Sequence, residues 1–302
     1  MENKYIISEE NVGKRIDVVV SEIEEKISRT QAQVLIKNEK IFLDGKPVKT
    51  STKPQLGQEL LIIIETEEQT QIKPENIDID IIYEDSDIIV VNKPKDMVVH
   101  PAVGNKTGTL VNAILGKYEL SDINGEVRPG IVHRLDKNTT GVLVVAKNNY
   151  AHQKIAEQIQ NRETKKTYIA LVKGVISENN GEINMPIGRH LTDRKKMAVV
   201  KNGKEAITKF KVLKRYIEGY TLVEIDLKTG RTHQIRVHMS HIGFPIVGDD
   251  VYSNGKNNFG ITSQMLHAYK ISFCHPTKNE IVEYVAEIPD YFNNVLKKLT
   301  EA

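Results

Sequence analysis

The chain has 302 residues, 39% hydrophobic and 27% charged, with a formal net charge of +2. That length accommodates a small module plus a larger domain, and the near-neutral balance excludes a uniformly basic nucleic-acid coat. A single cysteine, Cys274, excludes an intramolecular disulfide framework; with no membrane-length apolar run and no signal-peptide core after Met1, the expected setting is the cytoplasm, without a membrane partner.

Residues 1–64 read as one compact unit. Ile16, Val19, Val20, Ile23 and Ile27 recur at helical spacing. Ser28 is an N-cap for a second helix that turns Ala32, Leu35 and Ile36 inward. Ile41-Phe42-Leu43 reads as a strand entering an Asp44-Gly45 turn, and Leu60 to Ile64 as another strand. The polar face of the second helix offers Arg29, Gln33 and Lys37. Two helices and a small hairpin, with Ser-Arg opening the second helix, resemble the S-four-like RNA-binding module, a small α/β unit. The resemblance implies that Arg29 and Lys37 contact RNA phosphates; by charge alone they would simply solvate a helix face.

Residues 65–78 are acidic and poor in apolar side chains, a linker composition, so the second domain is expected over 79–302. Ile79 to Tyr83 and Ile88 to Val91 form a hairpin about Glu84–Asp87. The loop Pro129 to Gly141 then leads into the apolar run Val142 to Ala146, a buried strand. His133, Arg134, Asp136 and Lys137 cluster on that loop, and a loop ion pair accounts for them as well as catalysis does. Ala151, Ile155 and Ile159 mark a helix entered through Asn148 or Asn149, and Lys165 to Gly174 reads as a strand bearing Tyr168. Lys and Arg crowd positions 189–215, either a phosphate-binding strip or a solvated hairpin. Leu222 to Leu227 alternates as a strand, Ser272 to Ala286 reads as a strand pair, and a short helix holds Val295 and Leu299.

Four segments resemble the motifs of RluA/RluD-type pseudouridine synthases, enzymes that modify large-subunit ribosomal RNA. His133-Arg134-Leu135-Asp136-Lys137-Asn138-Thr139-Thr140-Gly141 is similar to the active-site motif, and its Thr-Thr pair with the preceding Pro-Gly-Ile-Val is similar to the RluD branch. Lys166-Thr167-Tyr168 and the stretch Thr229 to Met239 resemble two further blocks, and Asn92 to Pro101 another. The chain departs at Asp96, where the family carries glycine, a residue that takes positive φ more readily.

The resemblance implies an α+β fold whose mixed, mostly antiparallel sheet is split by a central cleft. It implies Asp136 as the catalytic carboxylate, Arg236 as its ion-pair partner and Tyr168 as a residue that stacks on the uracil and takes the carbon 5 proton, directly or through water. Arg134 would occupy the place of the flipped base, and His133, Lys93 and Arg231 would contact RNA. No cofactor and no metal are implied; the partner is ribosomal RNA or the pre-large ribosomal subunit, met by a monomer. Two other readings remain. One is a non-catalytic RNA-binding ribosome-assembly factor of the same architecture. The other is a metal-assisted hydrolase using His233, His238 and His241, although no zincin-type motif or thiol cluster accompanies them.

Overall fold

A computed structural model of the chain describes residues 2–24, 27–63, 72–102, 104–125, 128–193, 196–253 and 259–302. The chain packs as two compact units, residues 1–70 and 71–302.

In the first unit, helices Ile16–Ile23 and Arg29–Lys37 bury Ile16, Val19, Val20, Ala32 and Ile36 against a four-stranded sheet. The Ser28 hydroxyl accepts from the Gln31 backbone while the Gln31 side chain reaches back to Ser28, a reciprocal cap that starts the second helix where expected. Asp44 and Gly45 both take positive φ, as a two-residue hairpin between Ile41–Leu43 and Lys46–Pro47 requires. Ile27, expected within the first helix, is buried beyond its end. The strand Glu2–Ile6, unread in the sequence, is fixed by antiparallel pairing with Glu59–Ile63. Ile64 and residues 65–71 of the expected linker lie outside the described residues.

Residues 72–78 differ from linker behaviour. Glu75 donates its N–H to the Asn112 carbonyl (2.8 Å), and Asn112 donates to Lys73 O (2.8 Å). Both bonds tie the segment to Leu110–Leu115, a helix not anticipated from sequence.

The second unit is built on a nine-stranded mixed sheet, predominantly antiparallel. Its spatial order is Asp80–Glu84, Ile88–Lys93, Thr140–Ala146, Leu266–Cys274, Lys165–Lys173, Tyr220–Leu227, Ile207–Tyr216 and Asn180–Asn184, with Ile281–Val285 also pairing with Leu266–Cys274. The parallel neighbours are Thr140–Ala146 and Leu266–Cys274, which meet through Thr140 opposite His267 and Gly141 opposite Ala268. At that seam a side chain on Gly141 would sit 2.2 Å from the Ala268 carbonyl oxygen, so only glycine allows the approach. Thr140–Ala146 is buried along its whole length, explaining its unbroken apolar run. Helix Asn149–Gln160 starts at Asn148, whose side chain accepts from the Ala151 N–H at 2.9 Å.

Candidate active site

The Asp136 loop ends at this seam and is held from several sides. His133 Nε2 accepts the Val144 N–H (3.0 Å), the Asp136 carbonyl accepts the Thr139 N–H (3.1 Å), and Leu135 is buried in the core. Lys93 lies fully buried beneath it, donating to the carbonyls of Pro94 (2.7 Å), Met97 (2.9 Å) and Lys137 (3.0 Å). This corrects the expectation that Lys93 contacts RNA: it is a strut between two loops. Burial pulls its amine down to about 7 against the charges of Asp136 and Asp96, while three carbonyl acceptors match the three protons of an ammonium. Asp96 itself adopts φ +62°, so the aspartate takes a left-handed conformation that glycine adopts more readily.

Arg236 comes from helix Gln234–His241, which follows His233 in the left-handed conformation. The Gln234 side chain pins the helix start, accepting from Thr229 Oγ1 (2.8 Å) and Arg231 N (3.0 Å) and donating to Ile207 O (3.0 Å). Ile235 and Met239, at i, i+4, are the helical signal that sequence reading passed over, with Arg236, Val237 and His238 between them. The guanidinium divides its donors. Nε and Nη2 grip the carboxylate of Asp249 at 2.7 and 2.9 Å, and Nη1 reaches Asp136 Oδ2 at 3.1 Å. Asp249 is fully buried, Arg236 nearly so, and Asp136 keeps 19% of its side chain exposed, towards the cleft. Burial opposes the Arg236 charge, but the Asp249 bonds and the two carboxylates outweigh it and raise its pKa. The Tyr252 ring lies 5.2 Å from the guanidinium carbon, and its hydroxyl meets His233 Nδ1 at 3.0 Å.

Sequence reading missed Asp249 and Tyr252. The clue for Asp249 was the preceding glycine: Gly248 has φ +77°, and a Cβ there would lie 2.2 Å from the Ser263 carbonyl oxygen. A backbone pinched so tightly aims the next side chain inward.

Tyr168 lies on the central strand Lys165–Lys173, between Ile225 and Ala268, and is buried. Burial and the Asp136 charge push its phenol well above its usual pKa. Asp136, Tyr168, Arg236, Arg134 and Arg231 all line one cleft of about 100 Å³, with Leu266 as part of its apolar wall. Arg134 is exposed, while Arg231 donates from Nε to Glu205 O at 2.9 Å.

Other expectations fare differently. His133 is half-buried and supports the strand through Nε2, which serves Val144 and leaves only Nδ1 to meet RNA. Burial, helped by the Lys166 charge, pulls its pKa from 6.5 to about 3, which keeps Nε2 able to accept. The unfolded chain therefore binds the extra proton across the window from about pH 6.5 to about pH 3, and stability drains away as pH falls through it. His133→Gln should lower the melting temperature near pH 7, yet lose less of it than the parent between about pH 7 and pH 5. Thermal melts at both values check this, and parallel pH dependence in the two proteins would contradict it.

In the first unit, Arg29 donates to the buried Asp17 at 3.1 Å while remaining largely exposed; Lys37 is exposed in the last turn of its helix. The basic strip over 189–215 is partly engaged: Lys209 pairs with Glu182, Lys214 with Glu301, and Arg215 donates to the carbonyls of Ile176, Ser177 and Glu178. Residues 194 and 195 of that strip lie outside the described residues. The three histidines do not converge as metal ligands. His238 meets Thr208 and Met185 through its two ring nitrogens, and His233 turns to Tyr252. Among the described residues, the close grouping of ligand types is Asp85, Asp87 and His275, where Lys278, Thr277 and Asn148 already occupy the carboxylates.

Comparison with known proteins gives this geometry a family. The sequence model described as RNA pseudouridylate synthase matches residues 87–241, and the S4 domain model matches residues 14–60. An uncharacterised RNA pseudouridine synthase, YlyB of Bacillus subtilis, is 45% identical over 97% of this chain and 96% of its own length. The ribosomal large subunit pseudouridine synthase D of Haemophilus influenzae is 39% identical over 97% of this chain and 93% of its own. Among solved structures, human RNA pseudouridylate synthase domain containing 1 superposes with a TM-score of 0.59 at 29% identity, covering 76% of this chain and 90% of the human one. The chain belongs to the RNA pseudouridine synthase family and carries an S4 domain ahead of its synthase domain.

Proposed function

We propose that the protein isomerises specific uridines of large-subunit ribosomal RNA to pseudouridine, with Asp136 as the reacting carboxylate. The observation that carries this is the convergence of Asp136, Tyr168 and Arg236 in one cleft, with the carboxylate fixed by a guanidinium that is itself locked to Asp249. The ribosomal substrate is supported by likeness over nearly the full length to proteins named for that activity.

The reaction breaks the bond between ribose carbon 1′ and uracil nitrogen 1 and forms one from the same carbon to uracil carbon 5. The carbon 5 proton passes to water and nitrogen 1 takes one up, so the change is an isomerisation that consumes no oxidant or energy source. Asp136 acts near the glycosidic carbon, and Arg236 holds its oxygen in place as charge shifts. Tyr168 presents a flat, apolar ring to the extruded base. Its raised pKa keeps the phenol protonated, so it serves as a stacking surface rather than a resident base. Arg134, exposed at the mouth, has the planar cation suited to the gap that the base leaves. A non-catalytic assembly factor is the weaker reading, since binding alone has no use for a buried arginine aimed at a half-buried carboxylate.

The test is tritium release from carbon-5-labelled, unmodified large-subunit ribosomal RNA, run with purified protein in the presence of chelator. Release coupled to pseudouridine formation is expected. Chelator-sensitive RNA cleavage without pseudouridine would sustain the hydrolase alternative instead.

We further propose that the S4 unit grips RNA phosphates through the helix face bearing Arg29 and Lys37. Removing residues 1–70 should weaken RNA binding and make log affinity fall less steeply with log salt, by roughly 0.7–0.9 for each phosphate that the protein no longer neutralises. An unchanged slope in a salt titration would rule this grip out.

A further inference from the structure

Beside the cleft holding Asp136 lies a second, larger cavity of about 410 Å³, open to solvent. Tyr168, Arg134 and Arg231 line both. The second cavity is rich in basic side chains and has no carboxylate among its described lining. Two of its cations are already engaged, Arg162 with Glu205 and Lys228 with Asp226.

Three other donors are unspent. Thr164, Lys166 and Tyr168 alternate along one strand and its lead-in, so they share a sheet face and step outward from the catalytic cleft by about 6.6 Å per pair. Thr164 is 8% exposed, and its buried hydroxyl has no hydrogen-bond partner. Lys166 has no ion-pair partner among the described residues and is half-buried. His133 accepts from Val144 through Nε2, so in the neutral ring the proton sits on Nδ1, a donor without a described acceptor. A base or sugar edge would satisfy the hydroxyl but leave the ammonium uncompensated, whereas an anion accepts from all three. We infer that this cavity binds a backbone phosphate of the substrate RNA, close along the strand to the uridine whose base enters the Asp136 cleft. Burial pulls Lys166 down to about 8, so its cation is costly in the empty pocket and gains from an arriving anion.

This assignment rests on the synthase reading, and its test separates the two. The probe is a synthetic RNA stem-loop containing a uridine that the protein modifies, with each phosphate flanking that uridine replaced in turn by a neutral methylphosphonate. Lys166→Met should bind the unmodified stem-loop about tenfold more weakly and show a shallower salt slope, by about 0.7. Lys166→Arg, which keeps the charge, should retain most of the affinity. At one flanking position the methylphosphonate should cost the wild-type protein the same tenfold and leave Lys166→Met indifferent. Thr164→Val should give a smaller loss at that same position. Wild-type affinity and slope in Lys166→Met, an equal loss in Lys166→Arg, or losses that multiply at every position would each overturn the subsite. A wild-type protein that forms pseudouridine in no ribosomal RNA would instead overturn the synthase reading itself.

Discussion

Asp136→Asn should reduce single-turnover pseudouridine formation by about four orders of magnitude or more, at the upper end of what one acid–base group supplies. RNA affinity should be largely retained. The substitution is nearly isosteric, and the amide oxygen can still accept from Arg236 Nη1, so the 3.1 Å contact and the loop around it have no reason to move. What disappears is the anion. A filter-binding assay beside a tritium-release assay separates the two properties. A variant that keeps appreciable turnover would remove Asp136 from the chemistry, whereas one that loses binding and turnover together would make it an RNA contact.

Asp249 carries the other large effect, and on stability as well as activity. Its carboxylate takes two of the guanidinium's bonds inside the protein, and both groups are buried. Asp249→Ala would leave the buried Arg236 charge with Asp136 and the long, exposed Asp250 pair at 3.8 Å, at a cost of roughly 3–5 kcal/mol. For a unit of this size that lowers the melting temperature by on the order of 10 °C. Adding Arg236→Met should recover much of the stability, since an apolar pair of similar volume tolerates the same burial, but no turnover. Calorimetry of the parent, single and double variants checks the sign. A single variant that melts with the parent would show that Asp249 does not hold Arg236.

Local signals were legible in the sequence because local physics determined them. Ser28 and Asn148 cap helices where their side chains reach the next free N–H groups, and Asp44-Gly45 turns a hairpin because both residues accept positive φ. The Asp136 loop was recognisable by motif, and the partnership of Asp136 with Arg236, 100 residues away, followed from resemblance. The remaining support was hidden because it is made by tertiary contact. Lys93 reads as a surface lysine until the Lys137 carbonyl closes over it, 44 residues away. Asp249 and Tyr252 carry no local signal, because their role comes from the contact with Arg236. The charge run over 189–215 hid two of its counter-charges in the same way, because they lie on Glu182 and on Glu301, distant in sequence.

On the proposed reading, one cleft built on Asp136 converts particular uridines of large-subunit ribosomal RNA. That reading's most direct test is pseudouridine mapping of that RNA from a strain lacking the gene, complemented with either the wild-type protein or Asp136→Asn. The account predicts a defined set of sites that vanish on deletion, return with the wild-type protein and stay absent with the variant. An unchanged pseudouridine map on deletion, or full restoration by Asp136→Asn, would contradict it.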